Sequence, residues 1–257
     1  MEISSQVKRL RTYNAIMGAF HLIQAVLMLI LSTDFTLPVR TSFLEYIEET
    51  GRLESVTQTI ADLQIGPLVA GFLLLSAIAH FTLASPGVFN WYARNLERGI
   101  NYARWYEYAL SASLMAVLIA MLCGIYDVAA LLMLFALTAV MNLCGLLMEL
   151  HNQTTEKTNW IAYYFGCIAG IVPWIAMSIY FFGSVASAEG EMPTFVYFIM
   201  GSLFVLFSSF AVNMVLQYKK VGPWRDYLFG ERMYVLLSLV AKSALAWQMF
   251  GGTLRPV

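Results

Sequence analysis

Two residues of this 257-residue chain carry reactive groups where their surroundings are least hospitable to charge, Lys242 and Glu107. Lys242 lies in the run RMYVLLSLVAKSALAWQMF, ten residues after Arg232. At about 1.5 Å per helical residue, the amine is ~15 Å from that charged end, near the middle of a hydrocarbon layer about 30 Å thick. A lone ammonium there costs several kcal/mol and sits too deep to snorkel to water. It needs a partner, loss of its charge, or a covalent bond that changes the nitrogen. An amine in an apolar pocket condenses with an aldehyde to a Schiff base. The bland alternative is a structural lysine paired with a buried carboxylate, and from this helix alone the two readings weigh equally.

Glu107 supplies the matching charge. In NYARWYEYALSASLMAVLIAMLCG it lies nine residues past Arg98, or ~14 Å from the same face. An amine and a carboxylate at one depth on different helices form the pairing a bilayer demands. His21, His80, Ser76 and Ser238 fall at similar depth; Ser76 is one turn from His80, and Ser238 is one turn before Lys242. A single buried histidine is more often a satisfied core residue. Two of the three histidines falling inside apolar runs favour one hydrated cavity beside the pair. Tyr108, Ser111 and Met115 follow Glu107 at helical spacing and are expected to line it, with Met141, Gly145 and Phe207 as further wall residues. The many other aromatics of this half, such as Trp105, Tyr163, Trp174, Phe204 and Phe210, are mostly packing or lipid-facing. An elongated apolar ligand would want such walls, and Pro173 is expected to kink the helix beside it.

The elements that position these groups follow from composition. The chain is 60% hydrophobic and 12% charged, against about a quarter charged in a soluble domain, with a mean hydropathy of +0.68. It reads as a polytopic all-α membrane protein in the lipid bilayer, one domain over 1–257. A net charge of -1 without a basic run gives no footing for nucleic acid. Cys123, Cys144 and Cys167 lie in apolar runs without metal-like spacing and read as core residues. The basic start MEISSQVKRLRTYN precedes a long apolar run with no small-residue cleavage site, so a first membrane helix is expected there rather than a signal peptide.

Seven segments are long enough to span: 13–31, 63–84, 99–124, 128–150, 160–183, 195–217 and 232–250. Most connections are short, so neighbours should be antiparallel in one bundle. The connection 32–62 is long and acidic. Thr50-Gly51, between 43–47 and 53–60, suggests a β-hairpin-like cap, although its glutamates also suit a helix. Eleven basic residues, Arg104 among them, fall on the N-terminal side, against Arg40, Arg52 and Arg255 on the other. The expectation is a cytoplasmic N-terminus, an extracellular loop 32–62 and an extracellular C-terminus. Glu149, near His151 at the end of the fourth span, reads as interfacial and structural. Asp127 and Glu189 read as extracellular turn residues. Asn152-Gln153-Thr154 fits a glycosylation acceptor but falls on the cytoplasmic side.

Lys242 in the seventh span and Glu107 in the third resemble the retinal-binding microbial rhodopsins. The inverted topology, the long loop after the first span, His21, His80 and the SLVAKS run narrow the resemblance to heliorhodopsins, over the whole chain. It implies all-trans retinal on Lys242 as a protonated Schiff base, Glu107 as its counterion, and a polar cluster of His21, His80, Ser76 and Ser238. It also implies a homodimer, β-structure in the first loop, and a plasma-membrane light sensor rather than an enzyme. Proton pumps of the wider group usually have a carboxylate one turn before the lysine, where this chain has Ser238. They also carry a proton donor eleven residues past the counterion, where it has Leu118. Light sensing without ion pumping is therefore expected, through an unidentified cytoplasmic signalling partner. Two other classes compete. A histidine-metal membrane hydrolase needs about three converging ligands and leaves Lys242 unexplained. A small-substrate transporter would use Glu107–Lys242 as a gate, but internal repeats are not evident.

Overall fold

Lipid offers no hydrogen bonds to backbone, so apolar runs of this length must close their own as helices. The computed structural model describes residues 5–188 and 193–254, which leaves the sequence readings of Glu189 and Arg255 outside the described residues. Its elements are α1 (Ser5–Leu31), β1 (Thr36–Ile47), β2 (Arg52–Gln64), α2 (Ile65–Ala84), α3 (Pro86–Glu97), α4 (Tyr102–Leu122), α5 (Val128–His151), α6 (Ile161–Ala186), α7 (Thr194–Tyr218) and α8 (Tyr227–Met249). All of these helices except α3 are long and apolar enough to cross a membrane. Their outward faces carry exposed large apolar side chains, among them Ile30, Phe165 and Phe198, as a lipid-facing surface requires. The helix of α6 continues through Pro173.

The expected hairpin is present and longer than the sequence suggested. β1 and β2 pair antiparallel from Thr36↔Gln64 to Ile47↔Arg52, with an irregularity between Val39 and Arg40. Gly51 takes φ +63° in the connection, the left-handed region that glycine enters without penalty. Thr50 donates to Glu54 (2.9 Å) across the turn. Only the base is anchored. Leu37 and Val39 are buried, and Arg40 N donates to Tyr126 O (2.8 Å). The tip stands clear of the bundle.

Several boundaries moved; α1, for one, starts at Ser5 and not at 13. The connection 85–98 contains α3, an amphipathic helix that buries Phe89, Tyr92, Ala93 and Leu96 against Val7 and Leu10 of α1. Pro86 occupies its first turn. It ends in a Schellman motif, with Gly99 at φ +73°, Ile100 N on Asn95 O and Gly99 N on Leu96 O. The last span begins at Tyr227 rather than Arg232, capped by the Asp226 carboxylate on Leu228 N (3.0 Å). That extension draws Glu231 into the bundle.

The hairpin half of the bundle is filled by Phe72, Leu73, Leu118, Met121 and Met177 with their neighbours. The opposite half has a smaller apolar cluster around Trp105, Tyr108, Met148 and Tyr234. The polar groups lie in and beside that half.

Candidate functional site

Lys242 and Glu107 meet. α8 and α4 bring Lys242 Nζ to 2.8 Å from Glu107 Oε1, with side chains 3% and 11% exposed. The ammonium has three N–H donors, and each has an acceptor. Besides Glu107 they reach Ser76 Oγ and Ser238 Oγ (3.0 Å). Ser76 donates in turn to the same Glu107 oxygen (2.6 Å). The Tyr108 ring lies 5.2 Å from Nζ, close enough for a cation–π attraction.

The histidines form a second layer. His21 and His80 stack at 5.5 Å between ring centroids, 12° from parallel. His80 Nδ1 donates to Asn14 Oδ1 (2.7 Å), whereas neither ring nitrogen of His21 has a hydrogen-bond partner among the described residues. Both are buried. Neither touches Lys242 directly, so they border the pair instead of ligating it. Among the described residues no group of three or more His, Cys, Asp or Glu is placed to hold a metal. His151 is exposed at the far end of α5.

An apolar channel leads away from the amine. A cavity of about 40 Å³ opens at Lys242 and Ser238, walled by Met115, Met141, Phe207 and Phe210. Met141 and Phe207 also line two adjoining cavities, of about 100 Å³ toward Gly145 and Trp105 and about 430 Å³ toward Trp174 and Phe204. A Cβ on Gly145 would run into the Trp105 ring, so glycine here is what lets that indole line the channel. Tyr108, Met115, Met141, Gly145 and Phe207 line these cavities. Ser111 is fully buried one turn past Glu107 but is not on the cavity wall.

Glu149, read as structural, is held inside the protein. It is 2% exposed and ion-paired with Arg104, which also pairs with Glu231. Arg104, counted above with the basic face, is buried with them. Sequence inspection missed this cluster because Arg104 and Glu231 lie within the first turn or two of their helices, where charge is ordinary. The hint was the Asn101 cap: its side chain accepts from Arg104 N (3.0 Å) and donates to Glu231 (2.7 Å).

Fold and site together define a seven-helix membrane protein with a buried amine–carboxylate pair heading an aromatic channel. The family model for heliorhodopsins matches residues 10–254, and the chain belongs to the heliorhodopsin family. It is an integral membrane protein of a retinal-binding, rhodopsin-like photoreceptor family. No curated protein matches the chain. The residues fit that cofactor: an elongated apolar polyene with an aldehyde end needs a buried amine at one end of a dry channel, and Lys242 provides it.

Proposed function

We propose that this chain is a light sensor in which Lys242 holds all-trans retinal as a protonated Schiff base and Glu107 is its counterion. The observation that carries the reading is the Lys242–Glu107 contact of 2.8 Å at the head of the aromatic channel. Retinal bound there would supply light absorption and a change of shape. The chain does the rest. Glu107 neutralises the cation, and Ser76 and Ser238 hold it in register. Met115, Met141 and Phe207 exclude water. His80, fixed by Asn14, is a group beside the pair able to take up a proton displaced from it.

In this reading the N-terminus is cytoplasmic, by the excess of basic residues on its side, and the hairpin and C-terminus are extracellular in the plasma membrane. The protein acts as a homodimer that signals to a cytoplasmic partner, not as an enzyme or a pump. Leu118, fully buried in the apolar half, leaves no donor to reload a proton from the hairpin side. The test is the absorption spectrum of protein expressed with all-trans retinal, joined to illumination of cells in unbuffered salt. A visible band without a sustained pH drift is expected. A colourless protein overturns the retinal assignment, and a steady light-driven drift abolished by protonophore overturns the sensor reading.

A further inference from the structure

The Arg104 cluster has one charge too many. Arg104, Glu149 and Glu231 are all nearly inaccessible to water, and one guanidinium faces two carboxyl groups. Arginine keeps its proton, so with both carboxyls ionised the cluster would carry one net negative charge in a low-dielectric interior, met only by neutral donors from Asn101, Trp105 and Tyr227. No second cation enters it among the described residues. The remaining titratable neighbours are tyrosines: Tyr227, which donates to Glu149 (3.2 Å), and Tyr92, Tyr218 and Tyr234.

The cluster has a door on each side. Toward the face opposite the hairpin, a polar cavity of about 270 Å³ is lined by Glu149 and Tyr227, with Glu156, Lys220 and Arg225 among its other walls. Toward the interior, Asn101 binds Glu231 (2.7 Å). The buried Tyr92 side chain lies beside both Asn101 and Asn14. Asn14 holds His80 (2.7 Å), and His80 lies within electrostatic range of Glu107 and Lys242. Trp105 adds a packing link: it donates to Glu149 (2.7 Å) and also walls the channel near Gly145.

We propose that Arg104, Glu149 and Glu231 form a second proton-binding site, which holds one proton and exchanges it with water in the cavity behind Glu149. On release, the O–H bond of the carboxyl breaks, the proton passes to cavity water, and the cluster is left with one net negative charge facing Lys220 and Arg225. Because α4 carries both Glu107 and Arg104, the site is placed to answer a charge change at Lys242. Only that last link rests on the retinal reading.

The test is infrared spectroscopy with carbon-13 glutamate, in the dark, on the full chain expressed with retinal. Wild type should show a protonated-carboxyl C=O signal at neutral pH. On alkalinisation that signal should disappear as a pH-indicator dye records about one proton released per chain. Glu149→Gln and Glu231→Gln should each abolish it, because each leaves Arg104 with a single carboxylate. Absence of the signal in wild type, or its survival in both variants, overturns the proposal. If either variant fails to fold, the wild-type titration still decides. A colourless protein that keeps the signal would refute the retinal assignment and leave this site standing.

Discussion

Two buried cations share α4 and α8 as their supports, and they are treated in opposite ways. Lys242 meets one carboxylate and two hydroxyls, and a channel opens beside it. Arg104 meets two carboxyl groups and is held between the rings of Trp105 (4.4 Å) and Tyr234 (4.0 Å). The difference follows from the side chains. An amine is a point charge that can become a nucleophile, whereas a guanidinium is a fixed fork that suits paired carboxylates and aromatic faces but does not react. The reactive cation is therefore placed where a ligand can reach it, and the inert one where three helices must be tied together.

Substitutions at the two cations should separate these roles. The largest effect is expected at Lys242. Lys242→Ala removes the one lysine in the middle of a span among the described residues and should give a folded, colourless protein; a visible band in that variant would break the contrast. Next comes Arg104→Leu, which leaves two buried carboxyl groups without their cation and should lower unfolding stability in detergent by about 3–5 kcal/mol. A loss under 1 kcal/mol in denaturant titrations would mean the cluster ties nothing together.

The middle effect concerns Glu107. An opposite charge within about 4–6 Å favours the charged form of a nitrogen base. With Glu107→Gln that support is gone, so the protonated form persists only to lower pH. The visible band should then give way to a near-ultraviolet one at lower pH than in wild type, and chloride should partly restore it if the cavity admits the ion. Titration of the band at low and high chloride checks this, and a wild-type curve without anion dependence would remove Glu107 as counterion. The smallest effect is expected for His80→Ala. His80 is neighbour to the pair and not a contact, so the dark titration should barely move while the recovery after a flash changes. A dark shift as large as that of Glu107→Gln would make His80 part of the counterion.

Local pattern in the chain determined much of this protein. Seven apolar runs can satisfy their backbone in lipid only as helices, and Lys242 and Glu107 declare themselves because charge is so rare within those runs. Thr50-Gly51 marks the hairpin by its own turn chemistry. α3 was legible too, in Ser85-Pro86, the apolar spacing of Phe89, Tyr92, Ala93 and Leu96, and the closing Gly99, but it was passed over as a connection. Tertiary structure alone decided the rest. Glu149 and Arg104 lie near helix ends, where a charge is either solvated or buried according to what packs over it. The early start of α8 brings Glu231 and Tyr227 onto that corner. The two histidines likewise differ by their neighbours and not by their spans: Asn14 of α1 reaches His80, while His21 is left with a stacked ring and no hydrogen bond among the described residues. Periodicity tells which depth and face a side chain takes, but hydrogen bonding depends on ångström-scale distances between helices far apart in sequence, and no single segment encodes those.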